Sequence, residues 1–109
     1  MIPIDQVTSL ALFARVVQHR SFSAAAREAG LAKSAVSRRI AELESVLRVR
    51  LLHRTSRALS LTEEGVRVHE HARALLAAAD AAQEVAGLAT GAVRGTLRLN
   101  ATPAFSQLY

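Results

Sequence analysis

Basic and short hydroxyl side chains are clustered in one stretch of the chain. Arginine can donate two parallel hydrogen bonds to the O6 and N7 atoms of guanine, and serine hydroxyls can donate to bases or to phosphate oxygens. These residue types on one helix face are typical of a surface that contacts nucleic acid. The candidate contact residues are Lys33, Ser34, Ser37, Arg38 and Arg39. The alternative is a solvated helix face on which Arg38 pairs with Glu42, four residues further on.

A second cluster of basic and hydroxyl side chains lies further along the chain, after a short apolar stretch. Its candidate contact residues are Arg54, Thr55 and Arg57. An ordinary arginine-rich loop is the alternative interpretation, but the cluster follows the first one closely enough for both to meet the same duplex. Arg48 and Arg50, which lie between the clusters, are further candidates for contact with phosphate groups.

Two short helical patterns position the first cluster. Gly30 can adopt the positive φ that ends an alanine-rich helix and turns the chain. In the pattern after it, apolar residues recur four, three and four positions apart, as on one face of a helix. These residues are Val36, Ile40, Leu43 and Leu47. Two helices joined by a tight glycine turn, the second with a basic outer face, predict a helix-turn-helix over about residues 22–41, an arrangement that enters a DNA major groove.

Capping and periodicity signals outline the rest of the fold. Helices are expected from an N-cap at Asp5 to about His19, from near Ser23 to Ala29, and from about Lys33 to Leu47. Residues 49–54 and 58–61 predict two short strands with a polar tip between them. Thr62 is expected to cap a helix that continues to about residue 90, because that segment has no proline. The predicted fold class is mainly α: a winged helix-turn-helix of three helices and a two-strand wing, followed by a long dimerisation helix.

Four sequence words, in this order, resemble the N-terminal part of LysR-type transcriptional regulators: SFSAAA, SAVSRRIAELE, RTSRALSLTEEG and RGTLRL. The resemblance implies a winged helix-turn-helix DNA-binding domain at residues 5–62 and a linker and dimerisation helix at 63–91. At 92–109 it implies a hinge and the first strand of a truncated effector-binding domain. It also implies that the two clusters contact double-stranded DNA and that Thr102 lies at the edge of an effector site.

The resemblance further implies a transcription factor that binds an interrupted palindrome as a dimer. A tetramer is possible in the full-length protein, and a small-molecule effector would act only through the missing C-terminal domain. Three positions depart from the family pattern. Arg20 and Arg48 stand where glycine is usual, and a non-glycine residue in the left-handed region costs about 1 kcal/mol, so the turn at Arg48 is expected to differ locally. Ala32 stands where serine is common, so Ser34 could cap the third helix and start it slightly later.

The long helix carries a stripe of small and apolar residues. They recur at alternating spacings of four and three, which is the spacing of a heptad seam. The positions are Val68, Ala72, Leu75, Ala79, Ala82, Ala86 and Ala89. Because alanine lets two helices approach closely, the stripe predicts a homodimer interface. The alternative is an amphipathic helix that lies on its own domain.

The charge of the chain is unevenly distributed. Residues 1–62 contain ten Lys or Arg against four Asp or Glu, whereas residues 63–109 contain four against five. The basic part therefore coincides with the helix-turn-helix, as a domain that binds a polyanion requires. An alanine-rich coiled-coil module for protein interaction is an alternative, but it gives no reason for this asymmetry. A winged-helix regulator of another family, such as a MarR-like one, is a further alternative, against which the RGTLRL strand argues.

Nothing in the sequence indicates an enzyme, a metal site or a cofactor. The chain has no cysteine, which excludes disulfides and thiolate chemistry. His69 and His71 are two positions apart, about 200° around a helix, and belong to no metal-binding pattern. Since no apolar run reaches membrane length and no secretory leader is present, a cytoplasmic protein with no membrane contact is expected.

Overall fold

The computed structural model describes residues 1–53 and 59–90 of the chain, with side chains described up to residue 88. Four helices follow one another: α1 (Ile4–His19), α2 (Phe22–Ala29), α3 (Lys33–Leu47) and α4 (Glu63–Thr90). The four predicted helices are therefore confirmed. Residues 54–58 and 91–109, on which the wing tip, the hinge and the last strand were expected, lie outside the described residues.

The start of α1 differs from the prediction. The N-cap is Pro3, in an extended conformation, and Asp5 lies within the first turn. The N–H of Gln6 donates to the carbonyl of Pro3 at 2.9 Å, and no side chain caps the start of the helix. The prediction of Asp5 as the N-cap was wrong. Its carboxylate instead lies in the first turn, near the positive end of the helix dipole.

The turn between α2 and α3 is built as predicted around Gly30. The Oγ of Ser21 accepts the N–H of Ala24 at 3.0 Å, so α2 begins at Phe22, one residue earlier than expected. Gly30 ends α2 at φ 72°, and the N–H of Leu31 donates to the carbonyl of Ala26 at 2.9 Å. A glycine with positive φ, followed by a residue whose N–H donates to a carbonyl of the last helical turn, is the usual end of a helix that terminates at glycine.

The two ends of α3 show how the chain tolerates its departures from the family pattern. The expected delay of the helix start through capping by Ser34 was wrong, because α3 begins at Lys33 and Ala35 and Val36 donate to the carbonyl of Ala32. Arg48 ends the helix at φ 61°. Arg48 therefore adopts the left-handed conformation at this turn although it carries a β-carbon. Arg20 does the same at the end of α1, at φ 55°.

The hydrophobic core lies between α1, α2 and α3, which all pack against one another. Its largest fully buried apolar side chains are Phe13, Val16, Val36, Ile40, Leu43 and Leu51. The beginning of α4 belongs to the same core. Ala72 is fully buried in this core, and Val68 and Leu76 pack against the core. Residues 1–76 accordingly form one compact unit, which we call the head. A second unit starts at Ala77, and its described part continues α4 as far as Thr90.

The segment between α3 and α4 contains a short antiparallel pairing. Leu52 pairs with Leu61, the N–H of His53 donates to the carbonyl of Ser60 at 3.1 Å, and the N–H of Thr62 donates to that of Leu51 at 3.0 Å. We call residues 50–53 and 59–62 the wing base. In the described part of the chain the expected two-strand wing is therefore represented by a single bridge. No helix in that part is both long and apolar enough to cross a membrane.

Candidate nucleic-acid interface

The two sides of α3 differ sharply in character. One side is fully buried in the core through Val36, Ile40 and Leu43. The other is exposed to solvent and carries all the sequence-predicted residues of the first cluster: Lys33, Ser34, Ser37, Arg38 and Arg39. We call this side the exposed α3 face. The apolar stripe therefore fixes which side chains point outward, as the sequence pattern required.

The side chains of the exposed α3 face have no side-chain partners among the residues that the structure describes. Within residues 1–53 and 59–90, none of its five side chains has a hydrogen bond or an ion pair with another side chain. The alternative in which Arg38 pairs with Glu42 is thus not realised in this structure. Unpaired guanidinium, ammonium and hydroxyl groups on a rigid helix are available to an external partner.

A groove beside this face brings in residues that the sequence did not single out. It has a volume of about 620 Å³ and lies between α1 and α3. Gln6 and Thr8 line it from α1, and Arg38 and Arg39 line it from α3. The Oε1 atom of Gln6 is buried and has no hydrogen-bond partner in the described part of the chain. No sequence signal distinguishes these two α1 residues, because they bear no motif.

A buried carboxylate joins α3 to the wing base. Glu44 is only 4% exposed, and its Oε2 atom accepts the backbone N–H of Leu51 at 2.8 Å and that of Leu52 at 3.2 Å. Its Oε1 atom lies 3.6 Å from a guanidinium nitrogen of the exposed Arg50. No sequence pattern predicted a role for Glu44, because a glutamate one position beyond an apolar residue is ordinarily on a solvated face.

The first turn of α4 lies directly against the wing base. As predicted, Thr62 caps α4, and its Oγ1 accepts the N–H of Gly65 at 2.9 Å. The same hydroxyl donates to the carbonyl of Arg50. Leu51 therefore has polar contacts on two sides, since its N–H binds Glu44 of α3 and its carbonyl accepts from Thr62.

The remaining predicted site residues divide into three groups. Arg54, Thr55, Arg57 and Thr102 lie outside the described residues. Val68, Ala72 and Leu75 belong to the head, where Ala72 is fully buried by its own chain and is no longer available to a partner helix. Ala79, Ala82 and Ala86 are exposed in the second unit. For the early part of the stripe, the alternative of a helix packed on its own domain is thus the arrangement observed.

His69 makes an internal contact with the core. Its ring meets that of buried Phe13 edge-on, with centroids 6.1 Å apart. Burial lowers the pKa of His69 from the ordinary 6.5, the charge of Arg73 lowers it further, and Glu70 acts in the opposite direction. In the described part of the chain, no three histidine or carboxylate side chains are placed to hold a metal ion.

The head contains three packed helices, and the third, α3, carries a basic face without side-chain partners in the described part of the chain. Together with the antiparallel pairing before α4, this arrangement defines a winged helix-turn-helix domain. The family model for bacterial regulatory helix-turn-helix proteins of the lysR family matches residues 7–66. The chain therefore belongs to the LysR family. This match also sets aside the alternative of a different winged-helix family.

Known relatives and structures resemble most of the chain. A transcriptional regulator from Xanthomonas campestris is 44% identical over 87 residues, which are 80% of this chain and 25% of that protein. The probable regulator LtrA from Klebsiella pneumoniae is 39% identical over 97 residues, which are 89% of this chain and 31% of that protein. The chain thus spans between a quarter and a third of the length of these two relatives. The DNA-binding domain of BenM, solved in complex with catB site 1 DNA, has a TM-score of 0.65 and 33% identity, covering 83% of this chain and 98% of that one.

Proposed function

We propose that this chain is the DNA-binding part of a transcriptional regulator, and that the exposed α3 face enters the major groove of its operator. The observation that carries the proposal is that all five basic and hydroxyl side chains of this face are exposed and without side-chain partners in the described part of the chain. The similarity to a domain solved on DNA supports the same role. Arg38 is the candidate for direct contact with guanine, and Lys33 and the two serines are candidates for bases or phosphates.

The second cluster would contact the DNA backbone or the minor groove beside α3. Arg54, Thr55 and Arg57 follow directly from the wing base, which in this fold borders the recognition helix. Those of the contacts that are with phosphate oxygens would contribute affinity rather than base discrimination. A protein with a DNA target of this kind would act in the cytoplasm, and no catalytic role is proposed for any residue.

Dimerisation would occur through the part of α4 that the head does not use. Ala79, Ala82 and Ala86 remain exposed, and Leu75 at the edge of the head continues the same stripe. Two chains paired along this stripe would present two recognition helices to successive major grooves, about 34 Å apart. The operator would then be an interrupted palindrome. Control by a small molecule would come through an effector-binding domain, of which residues 92–109, including Thr102, would be the beginning.

Selection of bound duplexes from a random pool tests this function directly. The chain is incubated with random double-stranded DNA, bound molecules are amplified over several rounds, and the survivors are sequenced. We expect two inverted half-sites with a fixed spacing. Absence of any enriched sequence, in a chain that still dimerises in sedimentation, would favour the protein-interaction module instead.

A further inference from the structure

We propose that Glu44 is a positioning residue that holds the wing base against α3, so that phosphate contacts of the wing depend on it while base contacts of α3 do not. The inference rests on the proposed function, since it concerns how the two DNA-contacting elements are placed relative to each other. It assigns a role to a side chain that does not itself reach the exposed α3 face.

Glu44 joins α3 to the wing base, and different residues otherwise hold these two elements in place. The exposed α3 face is oriented by Val36, Ile40 and Leu43 in the core, independently of Glu44. The start of the wing base is tied to α3 by the two N–H groups of Leu51 and Leu52, which donate to a single carboxylate oxygen at 2.8 and 3.2 Å. Hydrogen bonds to an ionised acceptor are stronger than neutral ones, so this tie is a directional restraint.

The chemistry of the site favours a carboxylate over an amide. An ionised carboxylate only accepts hydrogen bonds, and here one oxygen receives two backbone donors while the other faces the guanidinium of Arg50. A glutamine of the same length would offer an NH₂ group in place of one oxygen. If that group met the backbone N–H groups, two buried donors would lose their acceptor; if it faced the exposed Arg50, two donors would oppose each other and the backbone N–H groups would keep only a neutral acceptor in place of a charged one.

The restraint is passed on to the residues that follow. Leu52 pairs with Leu61 and His53 with Ser60, so the position of Leu51 and Leu52 determines where the chain enters and leaves the segment 54–58. That segment contains the proposed phosphate-contacting arginines. Removal of the Glu44 carboxylate should therefore loosen the wing base without turning the exposed α3 face.

The test compares Glu44→Gln with Glu42→Gln in the same chain. Both substitutions remove one negative charge from α3, but Glu42 is exposed and holds no backbone amide. Affinity is measured on a cognate and a scrambled duplex at several salt concentrations, and amide exchange of Leu51 and Leu52 is followed by NMR. Amides of Ile40 and Leu43 in the core serve as the internal reference for global unfolding.

The expected result separates affinity from specificity. In Glu44→Gln the amides of Leu51 and Leu52 should exchange at least about tenfold faster, with those of Ile40 and Leu43 unchanged. Binding should weaken roughly tenfold on both duplexes. The slope of log affinity against log salt concentration should become shallower by about one for every phosphate group that the wing no longer neutralises. The ratio between the duplexes should stay constant. Glu42→Gln should bind at least as tightly as the parent chain, with the parental salt dependence.

Three outcomes would overturn the inference. Faster exchange of both amides with unchanged DNA affinity would show that Glu44 has no bearing on the wing contacts. A decrease in affinity confined to the cognate duplex would mean that the α3 face has been disturbed. If Glu44→Gln does not fold, Glu44→Asp keeps the charge and withdraws it by one methylene, and parental binding and exchange in that variant would equally contradict the proposal. Failure of the parent chain to bind any duplex would instead reject the proposed function.

Discussion

The carbonyl oxygen of Leu51 occupies the space that a β-carbon on Gly65 would need. The carbonyl carbon and Cα of Leu51 would lie only 3.0 and 3.2 Å from that β-carbon. All three atoms belong to the backbone, so no side-chain rotation can relieve the overlap. This is why a glycine stands in the first turn of α4, where helix propensity alone would disfavour it.

Replacing Gly65 by alanine should therefore destabilise the protein. Alanine raises helix propensity by about 1 kcal/mol, but an overlap with backbone atoms typically costs about 1–3 kcal/mol or more. We expect a net decrease in the free energy of unfolding, measured by urea denaturation. Arg67→Ala, on an exposed position of the next turn, is the matched control and should stay within about 0.5 kcal/mol of the parent. Equal stabilities of the two variants would contradict the close approach.

Replacing Arg48 by glycine should have the opposite effect. Arg48 is held at φ 61°, a region that costs a non-glycine residue about 1 kcal/mol. Glycine adopts it without strain, so Arg48→Gly should raise the midpoint of urea unfolding, and Arg20→Gly should do the same at the end of α1. Arg48→Ala removes the same side chain but keeps the β-carbon. A gain in the alanine variant as large as in the glycine variant would mean that the backbone conformation is not its source.

The burial of His69 in the head should make stability depend on pH. The folded protein disfavours the protonated ring because burial and Arg73 lower the pKa of His69, so the unfolded chain takes up the proton more readily. The contribution of neutral His69 to the free energy of unfolding is complete above pH 6.5. It is lost as the pH falls through the lowered pKa of His69 in the folded protein. Urea unfolding at a series of pH values should show that the stability advantage of the parent over His69→Gln shrinks on acidification. An advantage that stays constant or grows would contradict this.

Ala79→Glu should convert the proposed dimer into monomers. A glutamate in a close alanine interface is too large and would bury an unpaired charge. Ala77→Glu is the control, because it is also exposed but lies nearly opposite the stripe at about 100° per residue. Sedimentation velocity should show monomers for the first variant and parental dimers for the second. Dimers in both would remove this stripe from the interface.

Arg38→Ala should reduce discrimination between DNA sequences. Removal of a bidentate contact to guanine is expected to weaken cognate binding by about 1–3 kcal/mol and to relax one base position per half-site. Arg67→Ala removes the same charge from α4 and should leave sequence preference unchanged. Equal decreases in affinity on cognate and scrambled duplexes for Arg38→Ala would remove this arginine from direct base contact.

The presence and the order of the helices were the features that the sequence predicted best. The stripe of Val36, Ile40 and Leu43 specified both α3 and its exposed side, and Gly30 and Thr62 marked helix boundaries through local chemistry. Such signals depend only on neighbours in the sequence. The wrong expectations at Asp5 and Ser34 concern the first residue of a helix, where the carbonyls of Pro3 and Ala32 accept backbone N–H groups and no side chain caps the helix.

Contacts between distant parts of the chain could not be predicted in the same way. A heptad stripe has the same spacing whether it faces a second chain or its own domain, so the burial of Ala72 in the head was not separable from a dimer seam. Glu44 and Gly65 carry no pattern of their own. Their roles arise from Leu51, which approaches both only after the chain has turned back from α3.

Burial of Ala72 also means that the core of the head includes the first part of α4. A chain cut after Thr62 would retain every helix of the helix-turn-helix, yet it would leave the Phe13 ring without its His69 neighbour and open the core where Ala72, Val68 and Leu76 close it. A cut after Leu76 removes none of these contacts. The head therefore includes about fourteen residues of α4, which is three to four turns at 3.6 residues per turn. A domain excised for fusion to another protein would need those turns of α4 to shield its hydrophobic core from solvent.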